Sequence, residues 1–364
     1  MIKVSFVLNC INKLGGTEKA TIDLANLLAI NNYQVHIISL YNKINTEQNT
    51  YNLHKNIKVS FVFPNTIYLK KPLIFYRLKD SFSKKKVENI IKLLEPNYVL
   101  YTDIKQIPFY RTTYKKILMV HNSYEFYRTG LVTKKLLDKN YKEIDNIIFL
   151  SSEDLQKYKN EFDNPGNADY VYNISNISPE VRTNHHNRTI TYLGRIDNNQ
   201  KQLDQSLDII KKLIDKNLFN DWIYNIYGSG PDQASVYKFI KDHNLEDRIK
   251  LKGTTTDVEE VLSKTDIMIL TSKYEGLPMA LIEAASSGVP IVSYECSDGI
   301  KEIVKDNFNG YLVKNNDREK FVEKLGDLIQ NLDKRVTMGN NAIIQVKEKF
   351  SEESILEKWN KILK

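Results

Sequence analysis

Cysteine is scarce in this sequence, and long apolar runs are missing from it. The 364 residues include two cysteines, Cys10 and Cys296, which excludes a disulfide framework and a cysteine-based zinc site. No apolar run reaches the roughly 20 residues that a membrane-spanning helix needs. The first ten residues lack the cationic stretch and long apolar segment of a signal peptide, so we expect a first strand there. These absences predict a cytoplasmic protein.

The composition is that of an ordinary globular protein. Hydrophobic residues make up 41% and charged residues 27% of the chain, which excludes disordered and collagen-like classes. At about 150 residues per domain, the length predicts two domains or three.

The excess positive charge lies in the first half of the chain. Residues 1–180 contain 25 Lys and Arg against 17 Asp and Glu, whereas the remainder contains 27 against 28. The charge is densest over residues 67–92, where the basic residues are Lys70, Lys71, Arg77, Lys79, Lys84, Lys85, Lys86 and Lys92. Nucleic acid, an anionic membrane face or an acidic polymer would suit this surface. A solvated, lysine-rich face explains it equally well.

Short apolar runs alternate with segments of helical period in two successive sets. We predict strands at 2–9, 35–40, 98–101, 117–120 and 147–150, then at 189–193, 222–227, 248–251, 267–270 and 290–294. Strands separated by helices imply right-handed crossovers and parallel sheets. The polar segment 173–188 separates the two sets, and a last helix is predicted at about 351–363.

The pattern therefore predicts an α/β protein with two Rossmann-like domains. We assign residues 1–178 to the first domain and residues 188–349 to the second, and we expect the C-terminal helix, 350–364, to pack back on the first. Ligands of open α/β sheets bind at the carboxyl ends of the strands, so we expect a ligand cleft between the two sheets.

Two cations and a glycine loop follow the first strands of the second set. Arg195 comes after the strand, and Lys201 comes six residues later as the next helix begins. Such a pair suits a diphosphate, although a chance surface pair is the simpler alternative. The segment YGSGP, which includes Gly230, also follows a strand. It lets a ligand approach the backbone or simply makes the turn.

The segment SKYEGLPMALIEAASSGVPIVS has the strongest signal. Glu275 lies in a loop and Glu283 in a helix, eight residues apart, so both carboxylates could face one ligand if the helix starts early. The apolar neighbours of Glu283 argue against a solvated glutamate. Pro278 lacks the N–H group that a helix N-terminus offers to anions. The later segment SDGIKEIV reads equally well as an anion-binding helix start and as a turn.

The ordered set GR…K, YGSGP, EGLPMALIEA, SGVPIVS, GIKEIV and GYLV resembles the retaining glycosyltransferases of the GT-B fold, family 4 (glycosyl transferases group 1). The resemblance covers nearly the whole chain and is densest between Arg195 and Val313. In the first half, Gly15–Gly16 and the VHN segment around His121 lie where that family has its glycine loop and active-site histidine.

The resemblance implies a role for each matching residue. Arg195 and Lys201 would neutralise the diphosphate of a nucleotide-sugar, Glu283 would hold the ribose hydroxyls and Glu275 would contact the donor sugar. His121 would lie near the reacting centre. The other donor-binding residues would be Gly15, Gly16, Gly230, Thr254, Thr255, Leu277, Pro278, Met279 and Ala280.

The chain departs from the family pattern at three places. Gln202 stands where glycine is usual, Lys301 interrupts the usual Gly-x-Pro-Glu loop, and Pro278 stands where many members have glycine. None of these removes a named role, but Lys301 bears on how the donor is held.

The resulting prediction is a retaining glycosyltransferase that uses a UDP-sugar. No Asp-x-Asp pair ends a strand, so we expect no metal and no cofactor. The expected acceptor is a glycan, a lipid-linked sugar or an anionic polymer of bacterial surface-polysaccharide synthesis. Residues 67–92 would contact an anionic membrane on its cytoplasmic face, and no nucleic acid would bind. A nucleotide-sugar epimerase and a nucleic-acid-binding protein are the alternatives, separable by product analysis and by salt-sensitive duplex binding.

Overall fold

The chain folds into two compact units. The structure, a computed structural model, describes residues 1–13, 15–41, 51–63, 73–163, 165–178 and 181–364, with the backbone alone for 73–81. The first unit comprises Met1–Ile174 and Glu352–Lys364, and the second comprises Ser175–Ser351. The chain thus returns to the first unit for its last residues.

The first unit contains a parallel sheet of seven strands in the order β3-β2-β1-β4-β5-β6-β7. The strands are β1 (Lys3–Cys10), β2 (Gln34–Tyr41), β3 (Lys58–Phe63), β4 (Tyr98–Tyr101), β5 (Lys115–Met119), β6 (Asn146–Phe149) and β7 (Ala168–Tyr170). Its helices among the described residues are α1 (Gly16–Ile30), α2 (Leu73–Leu94), α3 (Tyr124–Thr129), α4 (Leu131–Asn140), α5 (Ser152–Glu161) and, near the C-terminus, α13 (Glu352–Ile362).

Both faces of this sheet are buried. Side chains alternate between two apolar clusters along each central strand: in β1, Phe6 belongs to the cluster that also contains residues of α1 and α13, whereas Val7 belongs to the opposite one. Trp359 of α13 is 2% exposed within the first cluster. Helices on both faces of a parallel sheet are the doubly wound arrangement.

The second unit contains a parallel sheet of six strands in the order β10-β9-β8-β11-β12-β13. The strands are β8 (Thr189–Leu193), β9 (Ile223–Tyr227), β10 (Ile249–Gly253), β11 (Ile267–Leu270), β12 (Ile291–Tyr294) and β13 (Gly310–Val313). The helices are α6 (Leu203–Asp215), α7 (Gln233–Asp242), α8 (Val258–Ser263), α9 (Met279–Ser286), α10 (Asp298–Ile303), α11 (Arg318–Gln330) and α12 (Leu332–Lys349).

The predicted α/β architecture with two Rossmann-like sheets is confirmed. Strands 98–101, 189–193 and 267–270 have the predicted bounds, and the other predicted strands differ by one or two residues at an end. Three strands were not predicted: β3, β7 and β13. Each lies at the edge of its sheet, where one side has no neighbouring strand and the apolar run is short or mixed.

Part of the polar segment 173–188 is held against the second unit by hydrogen bonds. The Thr183 N–H donates to the Ser287 carbonyl at 3.2 Å, and Arg182 donates to the Ser286 carbonyl at 2.8 Å. Among the described helices, none combines the length and apolar character needed to cross a bilayer.

Candidate functional site

The second sheet has one point where ligands of open α/β folds are expected. Its strand order reverses between β8 and β11, so the loops that follow these two strands diverge to opposite faces and leave a crevice at the carboxyl edge. Arg195 and Lys201 follow β8, and Glu275 follows β11. The sequence separates Lys201 from Glu275 by 74 residues, and the topology brings them together.

Lys201 and Glu275 form an ion pair at this point. The Lys201 Nζ lies 2.6 Å from Glu275 Oε1, and the two side chains are 17% and 7% exposed. The Ser272 hydroxyl donates to the same carboxylate oxygen at 2.5 Å. A largely buried charge requires such partners, so the three groups hold one another in a single geometry.

Arg195 is more open than Lys201. Its side chain is 54% exposed and pairs with Asp197 Oδ2 at 2.7 Å, and Arg195 also donates to the Gln200 side chain at 3.1 Å. An exposed pair of this kind contributes little to stability. The guanidinium can therefore exchange its partners for an anion at small cost.

The loop between Arg195 and α6 is anchored to the end of β11. The Thr271 hydroxyl donates to the carbonyls of Lys201 and Gln202 at 3.2 and 3.0 Å, and the Lys273 N–H donates to the Gln200 carbonyl at 2.7 Å. Gln202 has a φ of 47°, in the left-handed region that favours glycine. This explains why glycine is usual there: the turn into α6 requires that conformation, and Gln202 adopts it with strain.

The glycines of YGSGP allow two backbone segments to touch. A Cβ on Gly228 would lie 1.8 Å from the Gly194 carbonyl oxygen, and a Cβ on Gly230 would lie 2.0 Å from that of Ile196. Gly228 also has a φ of 141°. Close approach to the chain's own backbone thus accounts for glycine at position 230, and the predicted contact of Gly230 with the donor stays a prediction.

Helix α9 carries Glu283 in a buried position. The helix begins at Met279, with Pro278 as its N-terminal cap, and Glu283 is 2% exposed. Glu275 lies before the helix, so the two carboxylates are not related by helical turns, and the condition that the helix start early is not met. Leu277, Pro278, Met279 and Ala280 form the first turn of α9 and the loop before it.

Helix α10 packs directly on the loop that contains Glu275. A Cβ on Gly299 would lie 2.0 Å from the Gly276 carbonyl oxygen, so glycine is required there. Lys301 pairs with Glu295 at 2.9 Å and lies 3.7 Å from Asp298. Burial raises the pKa of the neighbouring Cys296 thiol, and the negative charge of Glu275 raises it further, which keeps the thiol protonated.

The loop after β10 holds Thr254 and Thr255. The Thr255 hydroxyl accepts a hydrogen bond from the Asp257 N–H at 3.0 Å, and Asp257 caps α8 by accepting from the Glu260 N–H at 2.9 Å. Both threonines lie at the carboxyl edge, two strands away from β8.

In the first unit, Gly15 and Gly16 lie between β1 and α1. The Gly15 N–H donates to the Tyr51 hydroxyl at 3.1 Å, and a Cβ on Gly15 would lie 2.4 Å from Glu18 Oε2. A Cβ on Gly16 would meet nothing within 4 Å. Gly16 therefore leaves open space at the start of α1, where N–H groups favour an anion.

His121 follows β5, at the same edge of the first sheet as Gly15. Its Nε2 is buried and has no hydrogen-bond partner among the described residues. The ring borders an apolar pocket whose lining includes Leu24, Leu150, Ile355 and Trp359. Burial lowers the pKa of His121 to about 4, so the imidazole is neutral at pH 7.

The basic stretch 67–92 is only partly described. Residues 67–72, with Lys70 and Lys71, lie outside the described residues, as do the side chains of Arg77 and Lys79. Lys86 stacks over the rings of Phe63 and Phe82, at 4.8 and 4.9 Å from their centroids. Lys85 and Lys92 are exposed.

Three residues that position the charged groups of this site are not predicted from the sequence. Ser272, Thr271 and Asp197 are all buried, at 1%, 0% and 8% exposure, and each contacts Glu275, Lys201 or Arg195. A buried polar residue just after a strand is the signal that could have found them. Among the described residues, no group of three or more His, Cys, Asp or Glu side chains could hold a metal ion.

Two Rossmann-like units in one chain, with glycine loops and paired charges at the carboxyl edge, define the GT-B class of fold. Solved structures agree: the Staphylococcus aureus protein TarM, in complex with UDP, fondaparinux and α-GlcNAc-glycerol, superposes with a TM-score of 0.82 at 17% identity over 100% of both chains.

The family follows from the sequence comparison. Residues 173–345 match the family described as glycosyl transferases group 1. This matched segment belongs to the family, and the chain is a glycosyltransferase, as its motifs predicted.

Three similar proteins come from bacteria. An uncharacterized glycosyltransferase of Haemophilus influenzae is 28% identical over 100% of both chains. A poly(ribitol-phosphate) alpha-N-acetylglucosaminyltransferase of Staphylococcus aureus is 30% identical over 67% of this chain and 49% of its own length. An alpha-1,4-N-acetyl-D-galactosaminyltransferase of Campylobacter jejuni, named for a PP-undecaprenol-linked acceptor, is 26% identical over 100% of this chain and 98% of its own.

Proposed function

We propose that this enzyme transfers a sugar from a UDP-sugar to a hydroxyl group of a bacterial surface-polysaccharide precursor, with retention of anomeric configuration and without a metal ion. The acceptor is a glycan, a lipid-linked sugar or an anionic polymer. The UDP bound in the TarM structure and the acceptors in the names of two relatives support this assignment.

The observation that carries the proposal is the Lys201–Glu275 pair at the switch point. A nucleotide-sugar brings a diphosphate and a set of hydroxyl groups. Lys201 supplies a cation for the diphosphate, and Glu275 supplies a carboxylate that accepts hydrogen bonds from sugar hydroxyls. Ser272 and Thr271 keep both groups in position before the donor arrives, as electrostatic preorganisation requires.

In the proposed reaction, one bond forms and one breaks at the anomeric carbon. The acceptor oxygen bonds to this carbon on the face from which the UDP oxygen departs. The acceptor proton passes to the departing phosphate, which leaves with the electron pair of the broken C–O bond. Arg195 and Lys201 stabilise the negative charge that develops on the diphosphate, an effect on the order of several kcal/mol in a site that excludes water.

The other residues of the proposed donor site act by binding. Glu283 holds the ribose hydroxyls, the backbone of 277–280 contacts the diphosphate and the sugar, and Thr254–Thr255 flank the base. In the first unit, Gly15 and Gly16 admit the phosphates to the start of α1. His121, neutral at pH 7, offers a hydrogen-bonding ring to the sugar without adding charge.

We propose further that the enzyme works at the cytoplasmic face of the membrane when its acceptor is lipid-linked. The exposed Lys85 and Lys92 of α2 are suited to an anionic surface, where each cation near the lipid contributes about 1 kcal/mol. No nucleic acid is part of this proposal. A vesicle-binding assay with anionic and neutral lipids tests it, and equal binding to both would contradict it.

The donor is tested by thermal shift with UDP, GDP, ADP and their common sugars, each with and without chelator. A ligand at about 100 times its Kd adds roughly 2.7 kcal/mol, which is a shift of several degrees. We expect UDP and one UDP-sugar to stabilise the protein, with no effect of chelator. NMR of the glycoside product then reports the anomeric configuration, and inversion would contradict the proposed step.

Two variants distinguish a catalytic role of Arg195 from the general effect of removing a positive charge. Arg195→Gln removes a proposed diphosphate cation, and we expect a lower turnover with the fold intact, because Arg195 is exposed. Lys241→Gln removes an equally exposed cation, paired with Glu246 at 2.9 Å, and should leave turnover unchanged. Equal rates in both variants would argue against the role of Arg195.

A further inference from the structure

A second polar pocket lies at the opposite edge of the second sheet. It has a volume of about 470 Å3, and its lining includes His185, Arg188, Asn217, Asp221, Trp222 and Arg335. Arg188 precedes β8 and Trp222 precedes β9, so the pocket is at the amino edge. The five residues of β8 separate it by roughly 16 Å from Arg195 and the proposed donor site.

Arg335 is a buried cation within this lining. Arg335 is 6% exposed, and its guanidinium lies over the Trp222 ring at 5.0 Å from the centroid. Nη1 donates to the carbonyls of Leu328 and Ile329 at 2.6 and 3.0 Å, and Nη2 donates to the His185 carbonyl at 3.1 Å. Among the described residues, no carboxylate pairs with it.

Two buried polar atoms of the lining lack partners. Arg335 Nε and His185 Nδ1 are buried and make no hydrogen bond to any described residue, and His185 is 8% exposed. Unsatisfied buried polar atoms are rare, because each loses its hydration without compensation. Nε and Nη2 form the side-on fork with which arginine binds a carboxylate or phosphate.

The rest of the lining supplies further donors and one acid. Arg188 is 58% exposed and pairs with Asp221. The buried Asp266 carboxylate favours the charged forms of Arg335 and His185 and so raises the pKa of both, against the larger lowering by burial. Asn217, Asn220 and Gln330 add amide N–H groups. Burial lowers the pKa of His185, so its ring is neutral at pH 7 and can donate one hydrogen bond.

From this geometry we infer a second ligand site, in which the Arg335 fork, His185 Nδ1 and Arg188 bind the phosphate group of a ligand. Neither the donor site nor the proposed reaction uses these residues. The phosphate can belong to free inorganic phosphate or to a phosphodiester polymer. In the second case the site would hold the polymer at a distance from the reacting end.

Tryptophan fluorescence can report binding directly, because the chain has two tryptophans and Trp222 contacts Arg335. Inorganic phosphate is titrated into the full-length protein with saturating UDP, so that the donor site is occupied. With excitation at a wavelength that selects tryptophan over tyrosine, we expect a saturable change in fluorescence, in the wild type and also in Trp359→Phe, where Trp222 is the only tryptophan. No saturable change in either protein would overturn the inference.

Three variants locate the site. Arg188→Asn removes one cation while keeping a residue that tolerates the left-handed φ of 54°, and Arg335→Lys keeps the charge but removes the fork. Each should weaken phosphate binding by about tenfold or more, with UDP binding unchanged. Lys320→Gln removes a cation on α11, ten residues or about 15 Å before Gln330, and should bind as the wild type does.

A comparison of the binding of inorganic phosphate with that of a phosphodiester polymer identifies the source of the phosphate group. Tighter binding of poly(ribitol phosphate) than of inorganic phosphate, with the same loss in Arg188→Asn, assigns the site to a phosphodiester chain. Equal binding per phosphate assigns it to the free ion. Equal phosphate affinity in Arg188→Asn, Lys320→Gln and the wild type would overturn the inference even if Arg335→Lys fails to fold.

Discussion

Lys201→Met would leave the Glu275 carboxylate buried, with Ser272 as its remaining donor. The two side chains are 17% and 7% exposed, so solvent compensates little for the lost partner. Breaking a buried pair costs about 3–5 kcal/mol, and the partial exposure of Lys201 places the expected loss near 3 kcal/mol. At roughly 2–4 °C per kcal/mol for a unit of this size, the Tm of the second unit should fall by roughly 6–12 °C.

A double-mutant cycle tests whether the pair itself causes this loss. Glu275→Gln leaves Lys201 without its carboxylate, whereas the double variant Lys201→Met/Glu275→Gln removes both charges. We expect the double variant to regain stability relative to the sum of the single losses, by about 1–3 kcal/mol. Urea unfolding and calorimetry measure these values, and transferase activity should fall in all three variants. Additive losses would refute the reasoning, because they would mean that the two charges are not coupled.

Four further predictions concern single positions. Gly228→Ala should lower the free energy of unfolding by more than about 2 kcal/mol, since its Cβ would lie 1.8 Å from the Gly194 carbonyl oxygen; a loss below 0.5 kcal/mol in urea unfolding would contradict this. Gly16→Ala has open space for its Cβ, so the free energy of unfolding should stay the same or rise by about 0.4–1 kcal/mol. The KM for the donor should nevertheless rise, and an unchanged KM would show that Gly16 is not part of the donor site. Gln202→Gly should leave the free energy of unfolding unchanged or raise it by up to about 1 kcal/mol, because glycine adopts the left-handed φ without strain. Clear destabilisation would contradict the claim that Gln202 is strained. The pKa of His121 is about 4 in the folded state, below its unfolded value, so the unfolded state binds more protons between about pH 6.5 and 4. The free energy of unfolding should therefore fall as the pH falls through that range, and His121→Asn should reduce this pH dependence in urea unfolding. An unchanged pH dependence in the variant would argue against a buried neutral ring.

The central strands could be read from the sequence because burial on both faces requires continuous apolar runs. Ile267–Leu270 is such a run, and its predicted bounds are those of β11. Three of the four edge strands, β3, β7 and β13, are not predicted, since the same requirement does not apply at a sheet edge. Spacing alone could not decide whether Glu275 and Glu283 share a helix face: that required an early helix start, and α9 begins only at Met279.

For the candidate site, the sequence identified the charged residues but not the groups that hold them. The sequence predicts Lys201 and Glu275 as two separate groups, a phosphate cation and a sugar carboxylate. Their ion pair and the Ser272 hydroxyl bond depend on how two loops meet, and residue spacing carries no information on that. At Gly230, only the position of the Ile196 carbonyl reveals the steric need for glycine, and its role in donor binding stays a prediction.

By itself, the sequence determined the α/β class with two Rossmann-like sheets and the identity of the chain as a glycosyltransferase, because apolar periodicity and ordered motifs are properties of the linear chain. The tertiary structure alone decided which charges meet at the switch point of the second sheet and which glycines are sterically obligatory. It alone revealed the buried Arg335 at the opposite edge. Those features depend on distances between residues far apart in sequence, and the fold, through its strand order, sets such distances.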